Sequence, residues 1–533
     1  TKDSLVANGA SLTLNAAALA DTNSLIFDAS AEKDGSFVLT GGSGNDQVTM
    51  GQGADQVSLG NGDDQLHFNA FLTAADIVDG GAGADTLTFT DNGQGTDELD
   101  NVLNFEAITL GDAATNLVLT DNLVAATGSF SINAQDLSTG NHLVLDATAE
   151  TDILSITSGG GNDQIAMGNN LTSEDLIDGG AGTDTLTFTD SNNAADDLDQ
   201  VTNIETIILS DATTTITVVD STVAADARLH INATALTAGQ VLTLDLSAET
   251  NGNYKISSGA DNDVITAGAG DDEFILADGN DQLAMGQNLT KDDIIDGGAG
   301  TDTLTFTDSN NAADDLDQVT NIETIILEDA ATNITTKDSL VANGATLTFN
   351  AGPLTATNSL VFDALAELDG SFVLTGGAGN DQVTMGQGTD RVFLGDGNDQ
   401  LAMGQNLTKD DIIDGGVGTD TLTFTDNGLG TDELDNVLNF EAIILGDALT
   451  NLVLTDNLVA ATSSFSINAQ DLSTGNHLLL DATAETDGHI SLTSGLGNDI
   501  ISAGGGNDSF ETGGGNDQIA MGNNLTSEDL IDG

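Results

Sequence analysis

The chain has no cysteine and no tryptophan, one tyrosine, one proline, and only 8 lysines and arginines together. Without cysteine, disulfides and thiolate metal sites are excluded. So few basic side chains exclude nucleic acid and anionic membranes as direct partners. The sequence contains no run of 18 apolar residues, so no segment is expected to span a membrane. An aromatic content of 4% offers no stacking platform for sugars or bases.

What the chain has in excess is acid. It carries 86 aspartates and glutamates, which give a formal net charge of −78 at pH 7. Self-repulsion of this size opposes a compact fold, yet 39% of the residues are hydrophobic, which is more than a disordered acidic chain contains. The two observations are reconciled if bound cations neutralise carboxylates. Aspartate, which far outnumbers glutamate here, is typical of turns and of oxygen-rich cation sites.

The sequence repeats at two lengths. Residues 1–15, TKDSLVANGASLTLN, recur as TKDSLVANGATLTFN at 336–350. A segment ending in Asp-Gly-Gly recurs at shorter intervals and marks modules, a pattern typical of solenoids and repeat arrays. We therefore predict one continuous solenoid, itself a fragment of a longer protein. Its modules are 1–79 (partial, nonapeptide run 41–67), 80–178 (short), 179–296 (run 258–284), 297–414 (run 376–402) and 415–533 (truncated, run 494–520).

A nine-residue unit, glycine-rich in its first half and with aspartate at position six, recurs in every module. The first run reads GGSGNDQVT, MGQGADQVS and LGNGDDQLH. Glycine permits the backbone dihedrals of tight corners, and aspartate supplies a hard carboxylate oxygen. The last three residues predict a short strand with one inward apolar side chain, which in this run is Val48, Val57 or Leu66. Two units then form one coil, so every second corner stacks on the same edge roughly 4.8 Å away, where carbonyl and carboxylate oxygens can hold a divalent cation.

The candidate metal ligands follow from this spacing. The position-six aspartates are Asp46, Asp55, Asp64, Asp163, Asp263, Asp272, Asp281, Asp381, Asp390, Asp399, Asp499, Asp508 and Asp517. In four modules another aspartate follows the last of these by slightly more than two nonapeptide lengths, at Asp85, Asp184, Asp302 and Asp420. Further candidates precede a Gly-Gly turn, at Asp79, Asp178, Asp296 and Asp414. The alternative of flexible Gly/Asp-rich loops does not account for thirteen nonapeptide aspartates in register.

This unit, G-G-x-G-x-D-x-U-x, resembles the calcium-binding nonapeptide of the repeats-in-toxin (RTX) family. The resemblance implies an all-β fold, a right-handed parallel β-roll or β-helix solenoid with multiple Ca²⁺ ions in its turns. It also implies export through a one-step type I secretion system. Because folding and metal binding form one equilibrium, the chain would fold only in the calcium-rich exterior.

Two kinds of segment between the runs need separate interpretation. TSEDLIDG (172–179) and TKDDIIDG (290–297) predict short helical turns on one edge, with threonine as N-cap and acids in the first turn. Carboxylate pairs such as Asp146 and Glu150, four residues apart, recur five times. Paired carboxylates can perform acid–base catalysis, but an active site normally occurs once per domain. We interpret the pairs as extra cation ligands or solvated turns, and we predict no enzyme.

Length and uninterrupted repetition favour a structural function at the bacterial cell surface. The long modules resemble RTX-type surface-layer proteins, which implies a secreted, calcium-dependent protein that assembles with copies of itself as a surface layer, sheath or filament. Cell-surface polysaccharide is a second candidate partner. Two alternatives stay open: the extender region of a large RTX adhesin, and the RTX part of a secreted enzyme whose catalytic domain lies elsewhere.

Overall fold

The computed structural model describes residues 1–91, 93, 95–121, 123, 128–190, 194–308, 311–426, 428, 430–456, 458 and 464–533. The chain divides into two compact units, Thr1–Leu276 and Ala277–Gly533. Within the described ranges every regular element is a β-strand, and the strands of each unit stack in parallel as a β-solenoid. The predicted all-β solenoid is therefore confirmed.

The described residues of the first unit form 25 short strands. They are β1 Ser11–Asn15, β2 Ile26–Asp28, β3 Ser36–Thr40, β4 Gln47–Thr49, β5 Gln56–Asn61, β6 Gln65–Asn69, β7 Ile77–Ala82, β8 Thr86–Phe89, β9 Val102–Leu103, β10 Ala107–Leu110, β11 Thr115–Val118, β12 Ser129–Asn133, β13 Leu143–Asp146, β14 Ile153–Thr157, β15 Gln164–Gly168, β16 Leu176–Asp178, β17 Thr185–Phe188, β18 Val201–Thr202, β19 Thr206–Leu209, β20 Thr214–Thr217, β21 Arg228–Asn232, β22 Leu242–Asp245, β23 Asn253–Ser257, β24 Val264–Thr266 and β25 Glu273–Ile275.

In the second unit, the part of the chain that the structure describes forms 28 strands of the same kind. They are β26 Asp278–Gly279, β27 Gln282–Gly286, β28 Ile294–Asp296, β29 Ala299–Gly300, β30 Thr303–Phe306, β31 Val319–Thr320, β32 Thr324–Leu327, β33 Thr332–Thr335, β34 Thr346–Asn350, β35 Leu360–Asp363, β36 Ser371–Thr375, β37 Gln382–Thr384, β38 Arg391–Phe393, β39 Asp396–Gly397, β40 Gln400–Gly404, β41 Ile412–Asp414, β42 Val417–Gly418, β43 Thr421–Phe424, β44 Val437–Leu438, β45 Ala442–Leu445, β46 Thr450–Val453, β47 Ser464–Asn468, β48 Leu478–Asp481, β49 His489–Thr493, β50 Ile500–Ser502, β51 Ser509–Glu511, β52 Gln518–Ala520 and β53 Leu530–Asp532.

Most strands pair with strands one coil away rather than with their neighbours along the chain. In the first unit the odd-numbered strands β1 to β9 form one sheet and the even-numbered strands β2 to β18 form another. Val48 in β4 pairs with Leu66 in β6, two nonapeptides later, whereas Leu12 in β1 pairs with Phe37 in β3 across a longer stretch of chain. One coil of the nonapeptide run is thus two nonapeptides long, as the spacing predicts, and the coil before the run is longer.

Alternating side chains build the core of each unit. In β3, Phe37 and Leu39 are fully buried while the residues between and beside them are half-buried. This is the two-residue period of a strand with one face turned inward. The inward residues predicted for the first nonapeptide run, Val48, Val57 and Leu66, are all buried. The apolar side chains thus fill the coils and leave the glycine–aspartate segments at the corners.

The prediction of short helical turns is wrong. No helix occurs in the described part of the chain, and therefore none that is long and apolar enough to cross a membrane. In the segment 172–179, Asp175 Oδ2 accepts hydrogen bonds from the backbone N–H and the hydroxyl of Thr172 at 2.8 and 3.0 Å. Its Oδ1 accepts the N–H of Leu154 in the preceding coil at 2.7 Å. The aspartate therefore joins two coils instead of beginning a helix, and the chain continues directly into β16.

Candidate metal sites at the stacked corners

The carboxylate of Asp64 connects successive coils of the first unit. Its Oδ1 accepts the backbone N–H of Asp46 at 2.7 Å. The backbone N–H of Asp64 in turn donates to Oδ1 of Asp85 at 2.8 Å, and that of Asp85 donates to Oε2 of Glu106 at 2.7 Å. These acids form a ladder along one edge, in which each carboxylate caps the corner of the coil before it.

A second ladder follows the other edge. Asp55 Oδ1 accepts the N–H of Phe37 at 2.8 Å, and the N–H of Asp55 donates to Oδ1 of Asp76 at 2.8 Å. Asp55 lies directly before β5, whereas Asp46 and Asp64 lie before β4 and β6 in a different sheet. Alternate nonapeptides thus place their aspartates on alternate edges, as the spacing predicts.

The other runs repeat this arrangement. Oδ1 accepts a backbone N–H from the preceding coil, at 2.7 to 3.1 Å, in Asp163, Asp184, Asp263, Asp272, Asp302, Asp381, Asp390, Asp399, Asp420, Asp499, Asp508 and Asp517. Asp281 donates the bond that Asp302 accepts. All the predicted corner aspartates are buried except Asp517, which is half-buried.

The second carboxylate oxygen of many of these aspartates is left without a protein partner. Oδ2 is buried and accepts no hydrogen bond from the described residues in Asp55, Asp64, Asp85, Asp184, Asp302, Asp399, Asp420 and Asp508. An unsatisfied buried polar group costs about 1–3 kcal/mol, and more when it is charged. A divalent cation at the corner would remove that cost, so the residues present fit a calcium ion.

Glycine brings backbone carbonyl groups to the same corners. Gly60 has a φ of +109°, and a Cβ built there would lie 2.2 Å from the carbonyl oxygen of Gly42 in the preceding coil. Gly395, with a φ of +104°, stands in the same relation to Gly377 in the second unit. Any side chain at these positions would displace a carbonyl oxygen, which is the other kind of ligand that calcium takes.

The corner carboxylates are difficult to ionise when no cation is bound. Burial, followed by the neighbouring charges of Asp76 and Glu32, raises the pKa of Asp55 to about 7. Burial also raises the pKa of Asp85 to about 7 and that of Asp64 to about 6, with the nearby acids adding to the effect. Ionising these corners at neutral pH therefore opposes folding unless a positive charge is bound there.

The aspartates of the Asp-Gly-Gly turns occupy a different environment. Each is half-buried, and its Oδ1 accepts the side-chain N–H of an asparagine 25 residues later, at 2.6 to 2.7 Å, in Asp79, Asp178, Asp296 and Asp414. These bonds tie a turn to the following coil, outside the ladders of corner aspartates. A role for them as metal ligands stays a prediction.

Two sets of acids that the sequence interpretation left out extend the ladders. In the first set, the aspartate Oδ1 accepts a backbone N–H from the preceding coil; these residues are Asp76, Asp175, Asp411 and Asp529. In the second set, a glutamate follows the last aspartate of a ladder and accepts such an N–H through Oε2; these residues are Glu106, Glu205, Glu323 and Glu441. A signal was present, because Asp76 follows Asp55 by the same interval that separates Asp85 from Asp64. The threonine three residues before each aspartate of the first set favoured a helix cap instead.

A parallel β-solenoid whose stacked glycine–aspartate corners present buried carboxylate and carbonyl oxygens is a calcium-binding repeat protein of the β-roll type. Segments of the chain match the family of the RTX calcium-binding nonapeptide repeat (4 copies), at residues 38–66, 73–89, 172–193, 250–283, 289–311, 373–401, 408–424 and 491–519. The chain therefore carries RTX repeats and is consistent with the RTX β-roll family, whose members are typically secreted by type I systems. No curated protein matches the chain.

Proposed function

We propose that the chain is an extracellular structural protein that folds on binding calcium and then assembles with copies of itself as a surface layer, sheath or filament. The observation that carries the proposal is that equivalent positions in four of the five modules present the same surface feature. A regularly repeated surface feature favours contacts that recur many times, so individually weak contacts add up along an array.

The repeated feature is an aliphatic side chain at the start of the strand that leads into the Asp-Gly corner, which is exposed in four modules and half-buried, at Ile412, in the remaining one. Ile77 is 49% exposed, and the equivalent Leu176 and Ile294 are 45% and 44% exposed. Such a side chain gains from leaving water, and it recurs in a chain whose formal net charge is −78. Repeated apolar contacts of this kind support lateral association between copies.

Charge makes that association depend on calcium. With a formal net charge of −78, copies of the chain repel each other at neutral pH. Calcium bound in the corners lowers the net charge, and it also stabilises the fold that holds these aliphatic side chains at the surface. Assembly is therefore expected to follow folding in one calcium titration.

Analytical ultracentrifugation and negative-stain microscopy in millimolar calcium test this function. The parent chain should form large species that disperse on chelation. A variant with Ile77→Asp, Leu176→Asp and Ile294→Asp should fold with calcium but remain small. Val417→Asp is the matched control, because Val417 is 70% exposed while the other modules carry alanine at its position. Folded parent chains that stay monomeric in calcium would contradict assembly and would favour the adhesin extender.

A further inference from the structure

Four buried glutamates outside the nonapeptide corners share one pose. In each, Oε1 accepts the backbone N–H of the glycine three residues later, at 2.6 to 3.1 Å, in Glu32, Glu249, Glu367 and Glu485. Their exposure is between 0% and 2%. One oxygen of each carboxylate is thus fixed by the backbone, and the four copies differ in what surrounds the other.

Three of the four glutamates lie close to two further acids. Carboxylate oxygens come within 4.8 Å of one another in the trios Asp3–Glu32–Asp34, Asp338–Glu367–Asp369 and Asp456–Glu485–Asp487. The first aspartate precedes the glutamate by the same interval in all three trios, and the second follows it two positions later. The two aspartates of each trio are exposed, and the glutamate between them is buried.

The buried oxygen of these three glutamates lacks a partner. Oε2 of Glu32, Glu367 and Glu485 accepts no hydrogen bond from any described residue. Three carboxylates at this separation repel each other, and a buried charged oxygen without a partner costs more than a neutral one. A bound positive charge would remove both the repulsion between the carboxylates and the cost of the unpartnered oxygen.

The fourth copy shows the alternative solution. Asn251 stands where the other three have the second aspartate, so the local negative charge is smaller. In this copy the hydroxyl of Tyr254 donates to Oε2 of Glu249 at 3.1 Å. Phe37 and Phe372 stand at the position of Tyr254 in two of the other copies, and they have no hydroxyl. The copy that lacks the second aspartate therefore has a hydrogen-bond donor for the glutamate, whereas the copies with Phe37 and Phe372 have the second aspartate and no such donor.

We propose that Glu32, Glu367 and Glu485, each with its two aspartates, bind a divalent cation in addition to the ions of the nonapeptide corners. The ligands are all carboxylate oxygens, and the exposed aspartates leave room for water. Calcium accepts such a set because it takes six to eight oxygen ligands in flexible geometry. In the fifth copy, Ile153 replaces the glycine that follows the second aspartate, and the proposal does not extend to it.

Native mass spectrometry of the full chain, titrated with calcium alone, counts the ions bound per molecule. A variant with Glu32→Gln, Glu367→Gln and Glu485→Gln keeps the acceptor for the glycine N–H and should bind three ions fewer than the parent. The matched control Glu249→Gln alters the copy that Tyr254 already satisfies, and its count should equal that of the parent. The paired substitution Asn251→Asp with Tyr254→Phe should create a fourth site and add one ion.

The gain of an ion cannot arise from misfolding, so the last variant keeps the test decisive even if the triple variant loses structure. An unchanged count in either the triple variant or the gain variant would overturn the proposal. These results are separate from the test of assembly. If the corner sites are wrong, the parent itself shows no calcium-induced folding. If only the glutamate sites are wrong, the parent folds and assembles while the counts of all variants remain the same.

Discussion

Asp64→Asn isolates the contribution of a single corner carboxylate. The substitution keeps the side-chain oxygen that accepts the N–H of Asp46 at 2.7 Å. It replaces Oδ2, which is buried and has no partner among the described residues, by an amide N–H₂. The folded backbone should therefore persist, while the corner loses one negative ligand and gains donors that repel a cation.

The stability that Asp64→Asn loses can be estimated from the calcium affinity that one carboxylate ligand contributes. Removing one carboxylate from a calcium site lowers affinity by about one to two orders of magnitude. In excess calcium this corresponds to about 1.4–2.8 kcal/mol of local stability, because each tenfold change in affinity changes the binding free energy by about 1.4 kcal/mol. In a solenoid the loss is confined to neighbouring coils. Strands β4, β6 and β8, which stack around this corner, should carry most of it.

Hydrogen exchange with mass spectrometry in calcium measures this local stability. Peptides that contain β4, β6 and β8 should exchange about 10- to 100-fold faster in Asp64→Asn, whereas peptides from 376–402 should not change. Asp63→Asn is the matched control, because it removes the same charge one residue away at an exposed side chain. The hydrogen bond that Asp63 Oδ1 accepts from the N–H of Ala84 can still form with the side-chain oxygen of asparagine. Equal exchange in the two variants, or faster exchange throughout the chain, would show that Asp64 is not a local calcium ligand.

Three further predictions concern pH, glycine and the choice of ion. Burial raises the pKa of Asp55 from 3.8 to about 7, so the calcium-free fold is most stable below pH 4 and loses that stability as pH rises towards 7. Circular dichroism in chelator should therefore show more β-structure at pH 5 than at pH 8, and a pH-independent spectrum would contradict this. Gly60→Ala should destabilise its coil by roughly 2 kcal/mol or more, whereas Gly9→Ala, also at positive φ but with no atom within 4 Å of the new Cβ, should cost only about 1 kcal/mol; equal urea midpoints would contradict the close approach at Gly60. Millimolar magnesium should not replace calcium in folding the chain, because magnesium requires near-octahedral geometry and retains its water; a full β signal in magnesium would show that the corners are not selective.

The nonapeptide spacing predicts the coil and the two ladders because each nonapeptide is half a turn of this solenoid. Asp46 and Asp64 therefore share an edge that Asp55 does not. Outside the runs the coil lengthens, and residues such as Asp76 keep their place in the ladder at a different interval. The Thr-x-x-Asp segments also show how a local pattern misleads: in isolation it resembles a helix cap, but here the carboxylate bonds to the preceding coil.

The trios of acids could not be predicted from the sequence for a different reason. Asp3 and Glu32 are separated by an interval that matches neither the nonapeptide nor the module. They meet only because the coil at that point is longer than two nonapeptides. The recurrence of the glutamate was visible in the sequence, and it supported cation ligands and solvated turns equally. Burial and the unpartnered Oε2 distinguish the two.

Far-UV circular dichroism of the full chain, recorded at neutral pH before and after chelation of calcium, shows whether the fold requires the bound ions. Stacked corners with buried, unpartnered carboxylate oxygens cannot remain ionised and folded without a cation. We therefore expect the β signal to be lost in chelator and to return when millimolar calcium is restored. The same β signal in chelator and in calcium at neutral pH would contradict it.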